Sequence, residues 1–159
     1  MTKPWLWLPP NWAHHFAPYA VKLACKLVGK NAQAKTHVWQ PLTWRNLHFR
    51  NRIGTAGGVD KDGRNLLDWQ GLGAGFLEVG TVTPQPQIAN TGKIFDRDIN
   101  LEALWNRMGF PSDGSKKLRA NLLNIKSELS VPLLVNIGMN RNTPLESAST
   151  DYLTCIKDL

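Results

Sequence analysis

Short apolar runs that end in glycine and polar residues recur along the chain, and a helical pattern follows each of them. The runs lie near Ile53, Phe76 and Leu133. Apolar runs of about four to eight residues are typical of strands buried in a parallel sheet. Strand and helix units in series predict an α/β fold, either a doubly wound sheet or a partial β/α barrel of the TIM type. About three of the eight units of a complete barrel are present.

Apolar residues at steps of three and four predict the helices of these units. Ser112 and Asp113 are expected to cap the second helix. The predicted apolar positions are Leu66, Leu67 and Trp69 in the first helix, Leu118, Leu122, Ile125 and Leu129 in the second, and Ala148, Tyr152, Ile156 and Leu159 in the last.

Two further segments receive different predictions. Residues 42–49, with Arg45 and Asn46 in the middle, predict a small hairpin that precedes the barrel units. Prolines and turn residues predict a long loop over residues 83–100, and residues 101–104 a helical turn. A long loop after the carboxyl end of a strand is often functional.

A basic amphipathic helix is predicted near the amino terminus. Pro18 lies inside its pattern, so we expect two helical pieces or one kinked helix. Lys22, Lys26 and Lys30 occupy a different face from the apolar residues. The apolar face comprises Trp12, Phe16, Tyr19, Leu23 and Leu27.

Charge separates this segment from the rest of the chain. Residues 1–59 contain eight Lys or Arg and no Asp or Glu, whereas residues 60–159 contain eleven Lys or Arg and twelve Asp or Glu. The contrast favours a basic segment over residues 1–40 and a barrel portion over residues 41–159. The segment suits an anionic membrane surface, but its apolar face is equally able to pack on its own domain. Nucleic acid is the third and least favoured partner for this segment, because the segment contains no recognisable nucleic-acid-binding motif.

The location of the protein is constrained by three further features. No apolar run approaches the roughly 18 residues of a spanning helix. The apolar block that opens the chain is too short for a signal peptide. Cys25 and Cys155 stand in no metal or redox spacing, which fits a reducing compartment. We expect a cytosolic protein or one that rests on a membrane surface.

The turn after the first predicted strand is the strongest candidate for ligand chemistry. Gly57 and Gly58 lack side chains, so a flat or phosphorylated ligand is able to approach the backbone closely. Lys61 follows between Asp60 and Asp62. Taken by itself, such a lysine is more typical of a solvated surface charge.

Five motifs in order resemble the first half of dihydroorotate dehydrogenase, and the basic preface resembles its class-two, membrane-associated, quinone-using branch. The resemblance implies a β/α barrel that holds FMN at its carboxyl rim and oxidises dihydroorotate to orotate in pyrimidine biosynthesis. The motifs are AGGVDKDG (56–63), EVGTVTPQPQ (78–87), NRMGF (106–110), NIGMN (136–140) and TPLESASTDYL (143–153).

The resemblance also implies roles for individual residues. A fixed ammonium at Lys61 would stabilise negative charge on both the flavin and the orotate carboxylate. The amide of Asn106 offers a donor and an acceptor, which matches an imide edge. Glu78 is expected to be a buried carboxylate with a structural partner. The implied cofactor residues are Gly57, Gly58, Val59, Asp60, Lys61, Thr81 and Asn136, and the implied substrate residues are Lys61, Asn106, Arg107, Met108, Gly109 and Phe110.

In the family that the chain resembles, the catalytic serine lies on a loop that would follow Leu159. We therefore expect no catalytic base, no turnover and weak FMN binding from these residues alone. Quinone is expected near the basic helices, on the inner face of the cell membrane. Three parallel strands leave an unpaired edge, which favours a second chain that completes the barrel.

Two other functions remain open. One is a non-catalytic half-barrel that acts as a membrane-surface or partner-binding protein. The other is a flavin barrel that acts on RNA, such as a dihydrouridine synthase. Residues 106–110, and a basic charge that lies in the preface rather than at the rim, count against the RNA enzyme.

Overall fold

A computed structural model describes residues 7–28 and 38–159. Residues 1–6 and 29–37 lie outside this range. The predictions that concern them, such as the place of Lys30 on the basic face of the first helix, therefore lie outside the described residues. The elements in chain order are α1 (Pro10–Val28), β1 (Leu42–Trp44), β2 (Leu47–Phe49), α2 (Leu66–Gly71), β3 (Leu77–Val82), β4 (Phe95–Asp98), β5 (Ala103–Asn106), α3 (Ser115–Ile125), β6 (Leu133–Ile137), a 3₁₀ turn (Leu145–Ser147) and α4 (Ala148–Asp158).

The predicted strands lie side by side and run parallel. In the centre, β3 pairs with β6, with Leu77 opposite Leu133. The first predicted strand is reduced to one parallel bridge between Gly54 and Phe76. A Cβ at Gly54 would lie 2.5 Å from the Phe76 carbonyl oxygen, so glycine permits this close approach. Ile53 is exposed, which corrects the expectation of a buried strand there.

The hydrophobic core lies between this sheet and the helices α2 and α3. The helical residues Leu66 and Leu118 are fully buried, as their periodicity predicts. Burial of each such side chain stabilises the fold by about 1.5–3 kcal/mol. Leu129 packs against the core although α3 ends at Ile125. The buried apolar cluster comprises Leu66, Leu77, Val79, Val82, Leu118 and Val131.

The region after β3 corrects two predictions. Residues 95–98 and 103–106 form an antiparallel hairpin, β4 and β5, where the sequence predicts a loop and a helical turn. The turn is closed by Asp98, whose carboxylate accepts hydrogen bonds from the backbone N–H groups of Asn100 and Leu101. Such a side-chain turn competes with a helical one. The hairpin carries Asn106 back toward the carboxyl ends of β3 and β6.

The cap predicted for α3 is also wrong. Gly114 occupies the cap position without a side-chain bond. The Ser112 hydroxyl instead accepts from the backbone N–H groups of Thr83 and Gly114, so it joins the loop to the end of β3.

The last helix buries a different face from the predicted one. Cys155 of α4 is fully buried, with its Sγ 3.9 Å from the Val82 carbonyl oxygen. A small side chain permits this close approach of α4 to β3. Tyr152 and Ile156, expected in the core, are exposed. Burial raises the pKa of the Cys155 thiol to about 11.

The amino-terminal helix α1 is one continuous helix with Pro18 inside it. Its apolar residues Trp12, Phe16, Tyr19, Leu23 and Leu27 are between 45% and 77% exposed. The alternative in which this face packs on its own domain is therefore wrong for the described part of the chain. Among the described helices, none is long and apolar enough to cross a membrane.

A different face of α1 packs over α2 and β4. The His14 and Phe95 ring centroids lie 4.9 Å apart. The Asn65 side-chain amide donates to the Pro18 carbonyl at 3.4 Å. The contacts place α1 above the carboxyl ends of the parallel strands.

Candidate functional site

The neighbouring strands β3 and β6 bring three polar side chains together, Thr81 and Asn136 near their carboxyl ends and Glu78 near the start of β3. The Thr81 hydroxyl donates to Asn136 Oδ1 at 2.8 Å, and Asn136 Nδ2 donates to Glu78 Oε1 at 3.2 Å. The Asn136 amide still has one N–H and one lone pair for a ligand. Glu78 has a structural partner, as expected, in the Asn136 amide. It is not fully buried as predicted, because its half-buried side chain borders the cavity.

The glycine turn lies directly against this polar group. A Cβ at Gly57 would come within 2.7 Å of Glu78 Oε1, whereas one at Gly58 would meet no atom within 4 Å. The Gly58 N–H donates to the Gly80 carbonyl at 2.6 Å, and the Gly80 N–H donates to the Asp60 carbonyl at 3.1 Å. The turn is thus held to β3 on one side while its other side is open.

Asp60 shapes the turn through its side chain. It is 6% exposed, and its carboxylate accepts from the backbone N–H groups of Arg64 at 3.0 Å and Asn65 at 2.7 Å. Two backbone donors to one buried carboxylate are a strong local constraint. The Asp60 carboxylate therefore fixes the start of α2.

Lys61 extends along the wall of the cavity. Its Nζ donates to the Gly58 carbonyl at 3.0 Å. Burial lowers the pKa of the Lys61 ammonium, and the carboxylates of Asp62 and Asp60 oppose that change. Interpretation of Lys61 as a solvated surface charge is therefore wrong, because the structure places a partly desolvated cation beside the glycine turn.

The loop of residues 106–110 forms the facing wall. Its backbone is held by Gln87, whose Nε2 donates to the carbonyls of Gly109 at 3.1 Å and Phe110 at 3.0 Å. Asn90 adds a bond from its Nδ2 to the Arg107 carbonyl at 2.7 Å. The sequence motif predicts the loop, but its two supporting side chains were missed. Gln87 lies within the quoted motif of residues 78–87, so a signal for it was present.

These walls enclose one open cavity of about 1420 Å³. The volume exceeds the roughly 300–1,000 Å³ that holds one drug-sized ligand. All of the predicted site residues border it: Gly57, Gly58, Val59, Asp60, Lys61, Thr81, Asn106, Arg107, Met108, Gly109, Phe110 and Asn136.

The helix α1 supplies the outer wall of the cavity, which sequence reasoning did not assign. His14 and His15 both border the cavity. Burial, the Lys61 ammonium and His15 together lower the pKa of His14. The signal in the sequence was a histidine pair inside a basic, apolar helix.

The model of the family described as Dihydroorotate dehydrogenase matches residues 41–159. The chain belongs to that family. A Dihydroorotate dehydrogenase (quinone) from Thermus thermophilus is 46% identical over 112 residues, which is 70% of this chain and 32% of that protein. One from Acinetobacter baumannii is 37% identical over 159 residues, which is 99% of this chain and 46% of that protein. The chain thus spans less than half the length of these relatives.

Solved structures of dihydroorotate dehydrogenase share the fold. The enzyme from Eimeria tenella in complex with ferulenol matches 94% of this chain and 40% of its own, with a TM-score of 0.77 and 29% identity. Its ligand-free form matches 85% of this chain and 41% of its own, with a TM-score of 0.70. The predicted α/β fold, a partial β/α barrel, is confirmed.

Dihydroorotate dehydrogenases are flavin enzymes, and the cavity has features that fit a flavin. The open backbone at Gly58 leaves room for a flat ring. Thr81 and Asn136 place a hydroxyl and an amide beside it, and Lys61 adds a cation. Backbone, amide and ammonium donors suit the carbonyl and ring-nitrogen acceptors of an isoalloxazine.

Proposed function

We propose that the chain takes part in the FMN-dependent oxidation of dihydroorotate to orotate with quinone as acceptor, a step of pyrimidine biosynthesis. The observation that carries this proposal is that all of the implied cofactor and substrate residues border one cavity. The names of the relatives support the same reaction. Residues 41–159 supply part of the flavin and substrate site in this proposal.

The flavin side of the site lies at the glycine turn. Bound FMN supplies the hydride acceptor. The backbone of Gly57 and Gly58 packs against the ring, and Thr81 and Asn136 hydrogen-bond its polar edge. The Lys61 ammonium stabilises the negative charge that oxidation of the substrate transfers to this part of the cavity. Its partial burial strengthens that interaction, since water screens it less.

The substrate side lies at residues 106–110. The Asn106 amide pairs with the imide edge of the pyrimidine, and the loop after it holds the ring. Lys61 is placed between the two ligands, where its ammonium also pairs with the orotate carboxylate. A single lysine therefore orients the substrate and stabilises the charge of the product.

The quinone enters beside α1 and the protein rests on the inner face of the cell membrane in this proposal. The five apolar side chains of the predicted face of α1 are exposed, and the lysines Lys22 and Lys26 lie on the same helix. Such a helix binds an anionic bilayer through both apolar burial and charge. We assign this membrane-side role to residues 1–40.

A second chain completes the barrel in this proposal. Among the described residues, β6 pairs with β3 on one side only. Unpaired strand edges favour pairing with another chain. Without that second chain, the unpaired edge should make the protein self-associate in analytical ultracentrifugation, and a monodisperse monomer would contradict this expectation.

Binding tests the proposal more directly than turnover. FMN is titrated into the purified chain and its fluorescence followed, and orotate is then added while the flavin absorption is recorded. We expect quenching by the protein and a shift of the flavin bands on orotate addition. Asn106→Ala should retain the quenching and lose the shift. Absence of FMN quenching in the wild-type chain would sink the proposal.

The second candidate is a non-catalytic membrane-surface protein, which the exposed face of α1 favours. Sedimentation with vesicles of phosphatidylcholine and phosphatidylglycerol separates the two. Vesicle binding without any FMN binding would favour the second candidate, whereas binding of both would favour the first.

A further inference from the structure

Gln87 joins the cavity loop of residues 106–110 to the segment that follows β6. Its Nε2 donates to the carbonyls of Gly109 and Phe110, at 3.1 and 3.0 Å. Its Oε1 accepts from Asn140 Nδ2 at 3.1 Å and from the Arg141 N–H at 3.0 Å. A glutamine amide has two N–H donors and two acceptor lone pairs, so its full capacity is used.

The orientation of this amide follows from its partners. A flipped amide would point its oxygen at two carbonyls and its N–H groups at two donors, which loses all of these bonds. Gln87 is half-buried, so water replaces them poorly. Its side chain is therefore a fixed connection and not one of several surface rotamers.

The segment after β6 gives the loop further support. Arg141 donates from its Nη2 to the carbonyls of Gly109 at 3.3 Å and Ile88 at 3.1 Å. The Asn140 N–H donates to the carboxylate of Asp151 on α4 at 2.8 Å. Gln87 thus connects the substrate loop to a segment that α4 anchors.

The loop needs this support because its backbone conformation is unusual. Gly109 has a φ of 75° and Phe110 a φ of 50°. A bulky residue such as phenylalanine rarely adopts the left-handed region. Gln87 binds the carbonyls of these two residues and no others in the loop, so it directly holds the strained Phe110 and the glycine before it.

We propose that Gln87 is a positioning residue for the loop of residues 106–110, and that it thereby sets the affinity of the site for a flat pyrimidine carboxylate. It acts through the loop and not by contact with the ligand. The inference about affinity rests on the proposed function, whereas the inference about loop order stands on the hydrogen bonds alone.

The test is Gln87→Glu in the full chain. The replacement has the same shape and keeps both acceptor bonds, but it loses both donors and turns a carboxylate oxygen toward two carbonyls. Gln87→Met, which loses donors and acceptors alike without adding charge, serves if the first variant is poorly folded.

Gln70→Glu is the matched control. Gln70 also donates to a carbonyl, that of Glu128 at 2.9 Å, and also accepts from a backbone N–H, that of Ser130 at 2.8 Å. It lies outside the cavity lining. The same chemical change at Gln70 therefore perturbs a comparable structural bridge without touching the loop.

Two readouts are used. Hydrogen exchange at residues 106–110 reports loop order without any ligand, and we expect Gln87→Glu to accelerate it at least tenfold. Orotate and FMN titrations report the site, and we expect orotate affinity to fall about tenfold while FMN affinity stays within twofold. Gln70→Glu should leave all three values at those of the wild type. A merely structural role would not separate orotate from FMN.

The outcomes distinguish this inference from the proposed function. A wild-type chain that binds no orotate defeats the proposed function, and the exchange measurement still decides whether Gln87 holds the loop. Unchanged exchange in Gln87→Glu, or equal losses in Gln70→Glu, would overturn the inference. Accelerated exchange together with unchanged orotate affinity would overturn its claim about affinity.

Discussion

Asn136 Nδ2 donates to Glu78 Oε1 across the parallel pair β3 and β6, with 3.2 Å between the two atoms. An ionised carboxylate accepts hydrogen bonds only, so this bond decides which end of the Asn136 amide faces Glu78. The amide oxygen is then turned to the Thr81 hydroxyl at 2.8 Å. Glu78 therefore orients the amide that we propose contacts the flavin.

Replacement of Glu78 should weaken FMN binding by loss of this orientation. We expect Glu78→Ala to lower FMN affinity about tenfold, since one charge-assisted hydrogen bond contributes about 1.5–3 kcal/mol. Glu78→Gln keeps an acceptor oxygen and should stay within about threefold of the wild type. Fluorescence titration measures both, with Glu128→Ala on the exposed far side as control. Equal affinities for Glu78→Ala and the wild type would refute the orienting role.

Gly80 is constrained by the neighbouring strand, and its replacement should be severe. A Cβ there would lie 2.3 Å from the Asn136 carbonyl oxygen, at a φ of +113°. Gly92 is the matched control, with a φ of +80° and no atom within 4 Å of an added Cβ. We expect Gly92→Ala to lower the free energy of unfolding by about 1 kcal/mol through backbone strain alone. Gly80→Ala should cost more than about 4 kcal/mol in urea unfolding. If both substitutions lowered the free energy of unfolding by similar amounts, this prediction would be wrong, because the backbone near Asn136 would then move away from the added Cβ easily.

We expect the partly buried Lys61 ammonium to lower the stability of the fold while it serves ligand binding in the proposed function. Because burial lowers the pKa of Lys61, the folded state binds fewer protons than the unfolded state between this lowered pKa and the ordinary lysine value of 10.5. Stability then rises with pH across that alkaline interval. Lys61→Met should be more stable than the wild type at pH 7, and this advantage should shrink as the pH approaches 10.5.

The same substitution should weaken the binding of orotate by about tenfold or more, since a charge-assisted hydrogen bond is lost. Urea unfolding across pH and orotate titration measure the two effects. Lys116→Met, at an exposed lysine of α3, should change neither. A Lys61→Met chain that is less stable at pH 7 and binds orotate normally would contradict this account.

The exposed face of α1 should bind an anionic membrane. Leu23 is 58% exposed on α1, and Leu123 is 57% exposed on α3, so the two leucines form a matched pair. We expect Leu23→Glu to reduce sedimentation with phosphatidylglycerol vesicles about tenfold, from lost apolar burial and added negative charge. Leu123→Glu should leave sedimentation unchanged, and neither should alter the unfolding midpoint strongly. Equal sedimentation of both variants would exclude α1 as the contact.

Much of the barrel portion follows from local patterns in the sequence. The strands at Leu77 and Leu133 are short apolar runs with glycine and polar residues behind them, a pattern that few alternatives share. The turn at Gly57 and Gly58 is predicted from its glycines, although the strand before it is reduced to one bridge between Gly54 and Phe76. Lys61 borders the cavity because that turn has one open side.

Other features depend on distant partners that no local pattern contains. The hairpin of β4 and β5 mixes polar and apolar residues, and its turn is closed by the Asp98 side chain. The buried face of α4 depends on how closely Cys155 approaches Val82. Gln87 gains its role from Asn140, which is remote in sequence. Tertiary contacts override propensity at such places.

In the proposed function, the glycine turn and the loop of residues 106–110 bind a flavin and a pyrimidine side by side. Amide chemical shifts of the ¹⁵N-labelled chain, recorded first with FMN and then with orotate added, locate both ligands residue by residue. We predict that FMN shifts the resonances of Gly57, Gly58 and Thr81, and that orotate then shifts those of Asn106 and the residues after it. Shifts confined to other surfaces, or no shifts at saturating FMN, would contradict the account.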